Sequence, residues 1–177
     1  MRKSALRGTA WWADVLGRSP NSFDPNQIRA AIEGKSILVT GAGGSIGSEL
    51  CLQAAAMGAA KVAMLDHHGG ALFATDTELA YWYPDTARQE ILCDVRDQQL
   101  LMDWVDRVRP DVIFHAAAIK HVDLVERQPI MGVLTNLVGT RNVALAAKSI
   151  GARMVLISTD KAVGPFSFMC STNRLAE

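Results

Sequence analysis

From residue 35 onward, short β-branched runs alternate with longer stretches whose apolar residues recur every three or four positions. Runs of the first kind occupy residues 36–40 (SILVT), 61–66 (KVAMLD), 89–93 (QEILC), 111–116 (DVIFHA) and 153–158 (RMVLIS). Their length and composition predict strands. Between them the spacing predicts helices over 45–57, 71–81, 98–109 and 130–150, the last ending at Gly151, a residue suited to a helix C-terminus. Strand and helix in alternation mark βαβ units, and right-handed crossovers leave few layouts for five such strands. The expected fold class is therefore α/β: a Rossmann-like, doubly wound parallel sheet of order 3-2-1-4-5, with a ligand crevice between strands one and four.

Residues 1–34 look different, and they are read as a lead-in segment ahead of a dinucleotide-binding domain over 35–177. Turn formers cluster at Ser19, Pro20, Asn21, Ser22 and Asp24-Pro25, and a short helical pattern follows over 27–32. Trp11 and Trp12 are read as packing anchors. A chain of 177 residues suffices for one core. Its 18 basic and 18 acidic side chains cancel, which disfavours a nucleic-acid partner, since such binding needs a net basic face. No apolar run approaches the roughly 18 to 20 residues of a membrane span, and Trp11, Trp12 and Asp14 interrupt residues 1–17 where a signal peptide needs an apolar stretch. No membrane segment and a cytoplasmic location are expected. Cys51, Cys93 and Cys170 are odd in number and form no CxxC pair, so neither a disulfide framework nor a metal site is indicated.

The first strand runs into a glycine-rich turn with Gly41, Gly44 and Gly47 in the spacing GxxGxxG. Gly41 permits a tight turn, Gly44 lets backbone approach a pyrophosphate, and Gly47 lets the helix pack on the sheet. The N–H groups of Ser45 and Ile46 then lie at a helix start, where phosphate is favoured. Asp66 ends the second strand, 19 residues beyond Gly47, and suits the adenosine ribose hydroxyls. A carboxylate there repels a 2′-phosphate, favouring NAD, while His67 and His68 keep NADP open. Asp94 and Val95 are placed to meet an adenine, although Asp94 equally suits a helix cap. Ala116, Ala117 and Ala118 keep room along the cofactor path. No Gly-Lys-Ser/Thr follows the loop, which excludes a Walker site.

With these residues in hand, the chain resembles the extended short-chain dehydrogenase/reductase superfamily, specifically the nucleotide-sugar 4,6-dehydratases of the CapD-like polysaccharide biosynthesis branch. Five segments carry the resemblance: Val15 with Leu16, Gly17 and Arg18, the loop from Thr40 to Leu50, Leu65-Asp66-His67, the stretch from His115 to Glu126, and Ser158-Thr159-Asp160-Lys161-Ala162-Val163. The resemblance implies a bound nicotinamide cofactor that takes hydride from C4 of a UDP-linked hexose, loss of water across C5 and C6, and return of hydride to C6. It assigns Thr159, Asp160 and Lys161 to holding the C4 hydroxyl and to the proton transfers. The residues themselves also suit a surface salt bridge and a helix cap. Asn136 resembles the family's structural asparagine and is read as bridging backbone.

Two departures stand beside these matches. The superfamily's Tyr-x-x-x-Lys falls on Met169 and Asn173 here. Methionine is tolerated in the large dehydratases of this branch, whereas Asn173 brings no positive charge. The sequence also stops in a new helix, so the C-terminal part of the usual domain, with its grip on the nucleotide sugar, is expected to be missing. A shortened sheet exposes an edge, which favours self-association into a homo-oligomer. The expected function is a truncated nucleotide-sugar 4,6-dehydratase, with a non-catalytic dinucleotide-binding module or an NAD-dependent sugar epimerase as alternatives.

Overall fold

Strand β1 (Ser36–Thr40) sends Ile37 and Val39 to one face of a sheet and Leu38 to the other, and β2 (Lys61–Asp66) divides Val62 and Met64 from Ala63 and Leu65 in the same way. Because side chains alternate along a strand, one sheet builds two cores, and a central strand must be apolar at every position. The computed structural model describes residues 17–18, 24–164 and 166–177. Trp11, Trp12, Val15, Leu16 and the turn formers at 19–22 lie outside the described residues.

Strands β3 (Ala87–Leu92), β4 (Val112–His115) and β5 (Arg153–Leu156) complete a parallel sheet of order β3-β2-β1-β4-β5, the order that crossover handedness predicts. Helix α1 (Pro25–Ile32) leads in, with Pro25 following Asp24, whose carboxylate accepts the Asn26 N–H at 2.9 Å. Helices α2 (Ser45–Ala56) and α3 (Gly69–Trp82) cover the first face with Cys51, Leu52, Leu72 and Leu79, where Ile32 of α1 also packs. Helices α4 (Gln98–Val108) and α6 (Pro129–Ile150) cover the second with Leu101, Val105, Val143 and Ala146.

The differences from the sequence reading fall where tertiary context rules. Strand β3 begins at Ala87 rather than 89 because an edge strand pairs through its backbone with β2 while only Ile91 is buried. Strands β4 and β5 end earlier than expected, at His115 and Leu156. A short helix α5 (Val122–Arg127), not anticipated, packs Val125 against Met169 and Cys170 of α7 (Phe168–Ala176) in a small separate core.

Helix α6 passes through a π-helical stretch, Val133–Gly139, and ends at Gly151 with φ +71°. Its 22 residues and mean hydropathy of 1.2 match a membrane span by length and composition. However, 44% of that apolar window is buried in the protein, and Asn136, Thr140 and Asn142 make internal hydrogen bonds. The apolar side of α6 is thus occupied by the core.

Candidate functional site

At the carboxyl end of β1 the chain turns on Gly41 at φ +69°, a region that side chains disfavour. A Cβ on Gly41 would stand 2.7 Å from Ala117, and one on Gly47 would stand 2.0 Å from the Gly41 carbonyl oxygen. Both glycines are therefore required by the protein's own backbone. Gly44 differs: its φ is −76°, it is exposed, and a Cβ would meet only the Gly41 oxygen at 3.2 Å. Among the described residues no side chain caps the start of α2, so its first-turn N–H groups, those of Ser45 and Ile46 among them, have no capping acceptor there.

Asp66 is 8% exposed, and both its oxygens are engaged. Oδ2 accepts the Gly43 N–H and Oδ1 the His68 N–H, each at 2.9 Å. The two histidines differ in environment. His68 accepts the Ala71 N–H on Nδ1 at 3.1 Å and caps α3. His67 is largely exposed, with Nδ1 3.4 Å from Oδ1 of Asp66.

Beyond β3, the Arg96 guanidinium grips Asp94 through both carboxylate oxygens and holds its carboxyl below the usual carboxylate range. The cap of α4 is Asp97, which accepts the Leu100 N–H at 3.0 Å, so the alternative of Asp94 as a cap is not realised. Asn142 of α6 pins this segment by donating to the carbonyls of Val95 at 3.0 Å and Arg96 at 3.3 Å. Ala116 follows β4 and donates its N–H to the Thr40 carbonyl at 3.0 Å.

One cleft of about 380 Å³ brings together Gly41, Gly44, Asp66, His67, Asp94, Val95, Ala116, Ala117 and Ala118. It opens at the β1–β4 switch point, as the topology requires, and extends over the ends of β2 and β3. Gly43, His68, Arg96, Met131 and Thr135 also line it, and sequence reasoning did not single out Gly43, Arg96, Met131 or Thr135. The only signal for Gly43 was its place inside the glycine loop. The contributions of Met131 and Thr135 depend on how α6 lies across the sheet.

The other expected site residues stand apart from this cleft. Thr159 accepts the Lys161 N–H at 3.4 Å and donates to Asp160 at 3.2 Å, capping a short 3₁₀ turn, Asp160–Ala162. Asp160 and Lys161 are exposed after the carboxyl end of β5, and among the described residues no ion pair joins them. The Ser158 hydroxyl donates to the Glu177 carboxylate. Met169 is 2% exposed within the small core, and Asn173 turns its amide onto the Met169 carbonyl at 3.0 Å. Asn136 bridges backbone as expected: it accepts the Ile119 N–H at 2.8 Å and donates to the Ile119 carbonyl at 3.1 Å.

Residues 37–177 match the family described as polysaccharide biosynthesis protein. Over 166 residues, 93% of the chain, it is 42% identical to a probable polysaccharide biosynthesis protein, EpsC, of Bacillus subtilis (strain 168). It is 39% identical over the same length to the capsular polysaccharide biosynthesis protein CapD of Staphylococcus aureus. The chain spans 28% of the length of each of these relatives. Among solved structures, a UDP-glucose-4-epimerase from Stenotrophomonas maltophila with bound NAD and formylated UDP-arabinopyranose superposes with a TM-score of 0.72 at 21% identity, over 80% of this chain and 46% of that one.

Proposed function

The chain belongs to the polysaccharide biosynthesis protein family, and from that membership we propose that residues 35–177 form the nicotinamide-dinucleotide-binding part of a nucleotide-sugar-modifying enzyme. One observation carries the reading. Gly41 and Gly47 are closed against protein backbone at under 3 Å, whereas Gly44 stands exposed at the start of α2 with a single close contact, the Gly41 oxygen at 3.2 Å. A glycine that the protein's own packing constrains less than its two neighbours in the motif leaves its exposed backbone open to a ligand, and an uncapped helix N-terminus favours an anionic one. The residues present therefore fit a pyrophosphate.

In this reading the lone pairs of Asp66 that the loop leaves free accept from the adenosine ribose, Asp94 and Val95 border the adenine, and Ala116 to Ala118 leave space further along. The buried carboxylate favours NAD over NADP. When bound, such a cofactor supplies reversible hydride transfer. A UDP-sugar epimerase of the same fold carries NAD, which supports the assignment.

The finer reading is 4,6-dehydration of a UDP-N-acetylhexosamine for surface polysaccharide synthesis. Thr159 holds the substrate hydroxyl at C4, Asp160 protonates the departing C6 hydroxyl and Lys161 takes the C5 proton. Water is lost with no net oxidation. The exposure of Asp160 and Lys161 beyond β5 supports this, since substrate can reach them. A second reading, a dinucleotide-binding module without catalysis, is favoured by Asn173, a neutral amide turned onto Met169. The buried, free thiols of Cys51, Cys93 and Cys170 suit a reducing compartment, and we place the chemistry in the cytoplasm.

Calorimetric titration with NAD and with NADP tests the nucleotide reading, with NAD expected to bind more tightly. Absence of binding by either overturns it. Incubation with UDP-N-acetylglucosamine and NAD separates the two readings of chemistry: a 4-keto-6-deoxy sugar product supports dehydration, and its absence alongside NAD binding supports the module.

A further inference from the structure

Five buried polar residues at and beside the second face of the sheet form one continuous line. Thr40 ends β1, His115 ends β4, Asn136 and Thr140 belong to α6, Thr172 belongs to α7, and all are buried. Thr40 Oγ1 lies 2.6 Å from His115 Nδ1, His115 Nε2 lies 2.9 Å from Thr140 Oγ1, and Thr140 Oγ1 lies 2.6 Å from the Asn136 carbonyl oxygen.

The order of protons follows from the last member of the line. A carbonyl oxygen only accepts, so Thr140 uses its one proton on Asn136 and must accept from His115. Nε2 therefore carries the imidazole proton, Nδ1 holds a lone pair, and the Thr40 hydroxyl donates to it. A second ring proton would face Thr40 and drive that hydroxyl to seek another acceptor in a buried site, where an unmet donor is costly. The residues facing the ring from β1, β5 and α6 are Thr40, Leu156 and Thr140, none of which titrates. Burial accordingly pushes the imidazole down to about 4.

Both ends of the line reach the cleft walls. Thr40 precedes Gly41 and accepts the Ala116 N–H on its carbonyl, and Asn136 grips both backbone groups of Ile119 and donates to Thr172 at 3.0 Å. Gly41 and Ile119 both line the cleft. The geometry points to His115 as a positioning residue: as a neutral imidazole it sets the distance between the glycine loop and the 116–119 segment, and thereby the fit of the cleft to its ligand. The ligand part of this statement rests on the dinucleotide reading above, and the tautomer and loop parts do not.

The test begins on ligand-free, 15N-labelled protein. The imidazole 15N shifts of His115 should show the neutral Nε2–H form from about pH 8 down to about pH 5. An Nδ1–H form, or an imidazolium at pH 6, overturns the proposal. Thr40→Val then removes the donor at constant shape and Thr40→Ser keeps it. Val should speed amide exchange at Gly43 and Gly44 by about tenfold and weaken NAD binding by about tenfold, as expected for one orphaned buried acceptor, with α4 amides unchanged and Ser within about twofold of the parent. Equal behaviour of Val and Ser, or uniform acceleration throughout, overturns it. The tautomer measurement stands even if Thr40→Val fails to fold. Absence of NAD binding with the Nε2–H form present sinks only the cofactor reading, whereas NAD binding with the Nδ1–H form sinks only the role of His115.

Discussion

The backbone N–H of Gly43 donates to Oδ2 of Asp66 at 2.9 Å, so the acid that ends β2 holds the loop that follows β1. Its other oxygen holds the start of α3 through the His68 N–H. A residue read as a ribose acceptor is thus also a brace between two loops.

Asp66→Ala should therefore do more than erase the preference for NAD. It leaves two backbone donors without acceptors, each worth roughly 1–3 kcal/mol when buried, so the melting temperature should drop by several degrees. Asp66→Asn keeps one acceptor and turns an amide N–H against the other donor, and it should also destabilise. Differential scanning fluorimetry with parallel NAD and NADP titrations reads both effects. An unchanged melting temperature in Asp66→Ala contradicts the brace.

Gly41, Gly44 and Gly47 should separate on substitution. Gly47→Ala forces a Cβ to 2.0 Å from a carbonyl oxygen and Gly41→Ala meets backbone at 2.7 Å, so both should lower stability by roughly 3 kcal/mol or more. Gly44→Ala should cost about 1 kcal/mol or less while weakening dinucleotide binding more than tenfold. Urea unfolding paired with calorimetric titration checks the contrast. Equal stability losses at Gly44 and Gly47 would show that Gly44 is structural.

Stability should fall on mild acidification. The unfolded chain takes a proton on His115 near its ordinary value of 6.5, and the folded protein does so only near 4. The contribution of the neutral ring is complete above the first value, declines between the two, and amounts to roughly 3 kcal/mol in all. Asp94, lowered by Arg96, has linkage of the same sign and adds a further loss only below the ordinary carboxylate range. Urea melts between about pH 7.5 and 4.5 check this. A flat profile is the contrary result.

Asp160→Asn and Lys161→Ala should leave the fold and the cleft alone. Both side chains are exposed and neither lines the cleft, so melting temperature and NAD affinity should stay near the parent values, within about 0.5 kcal/mol. If the protein yields a 4-keto-6-deoxy product, each substitution should abolish it. Product retained in both variants would remove these residues from the chemistry.

Two thiols should be inert in the folded protein. Burial raises Cys51 to about 12 and, with Asp97 and Asp94 nearby, Cys93 to about 11, leaving little thiolate at pH 8. Mass spectrometry after iodoacetamide treatment should find both unmodified until denaturant is added. Rapid labelling of Cys93, which lines the cleft, would mean that this part of its wall opens.

The features legible along the chain are those that neighbouring residues decide. Ile37, Leu38 and Val39 require a strand covered on both faces, Gly41, Gly44 and Gly47 require a turn into a helix, and crossover handedness then leaves few sheet orders, the doubly wound one among them. The spacing of Asp66 from Gly47 placed both at one end of that sheet. Beyond this, decisions passed to contacts between distant segments. Ala87 and Arg88 carry no apolar pattern, and only the open edge of β2 makes them strand. Gly43 became a partner of Asp66, and Arg96 of the cleft, because β1, β2 and β3 end side by side. His115 stands 75 residues from Thr40 and 25 from Thr140, and no local pattern marks either pairing. A buried polar group must find its partners wherever packing puts them, and packing is a property of the whole chain.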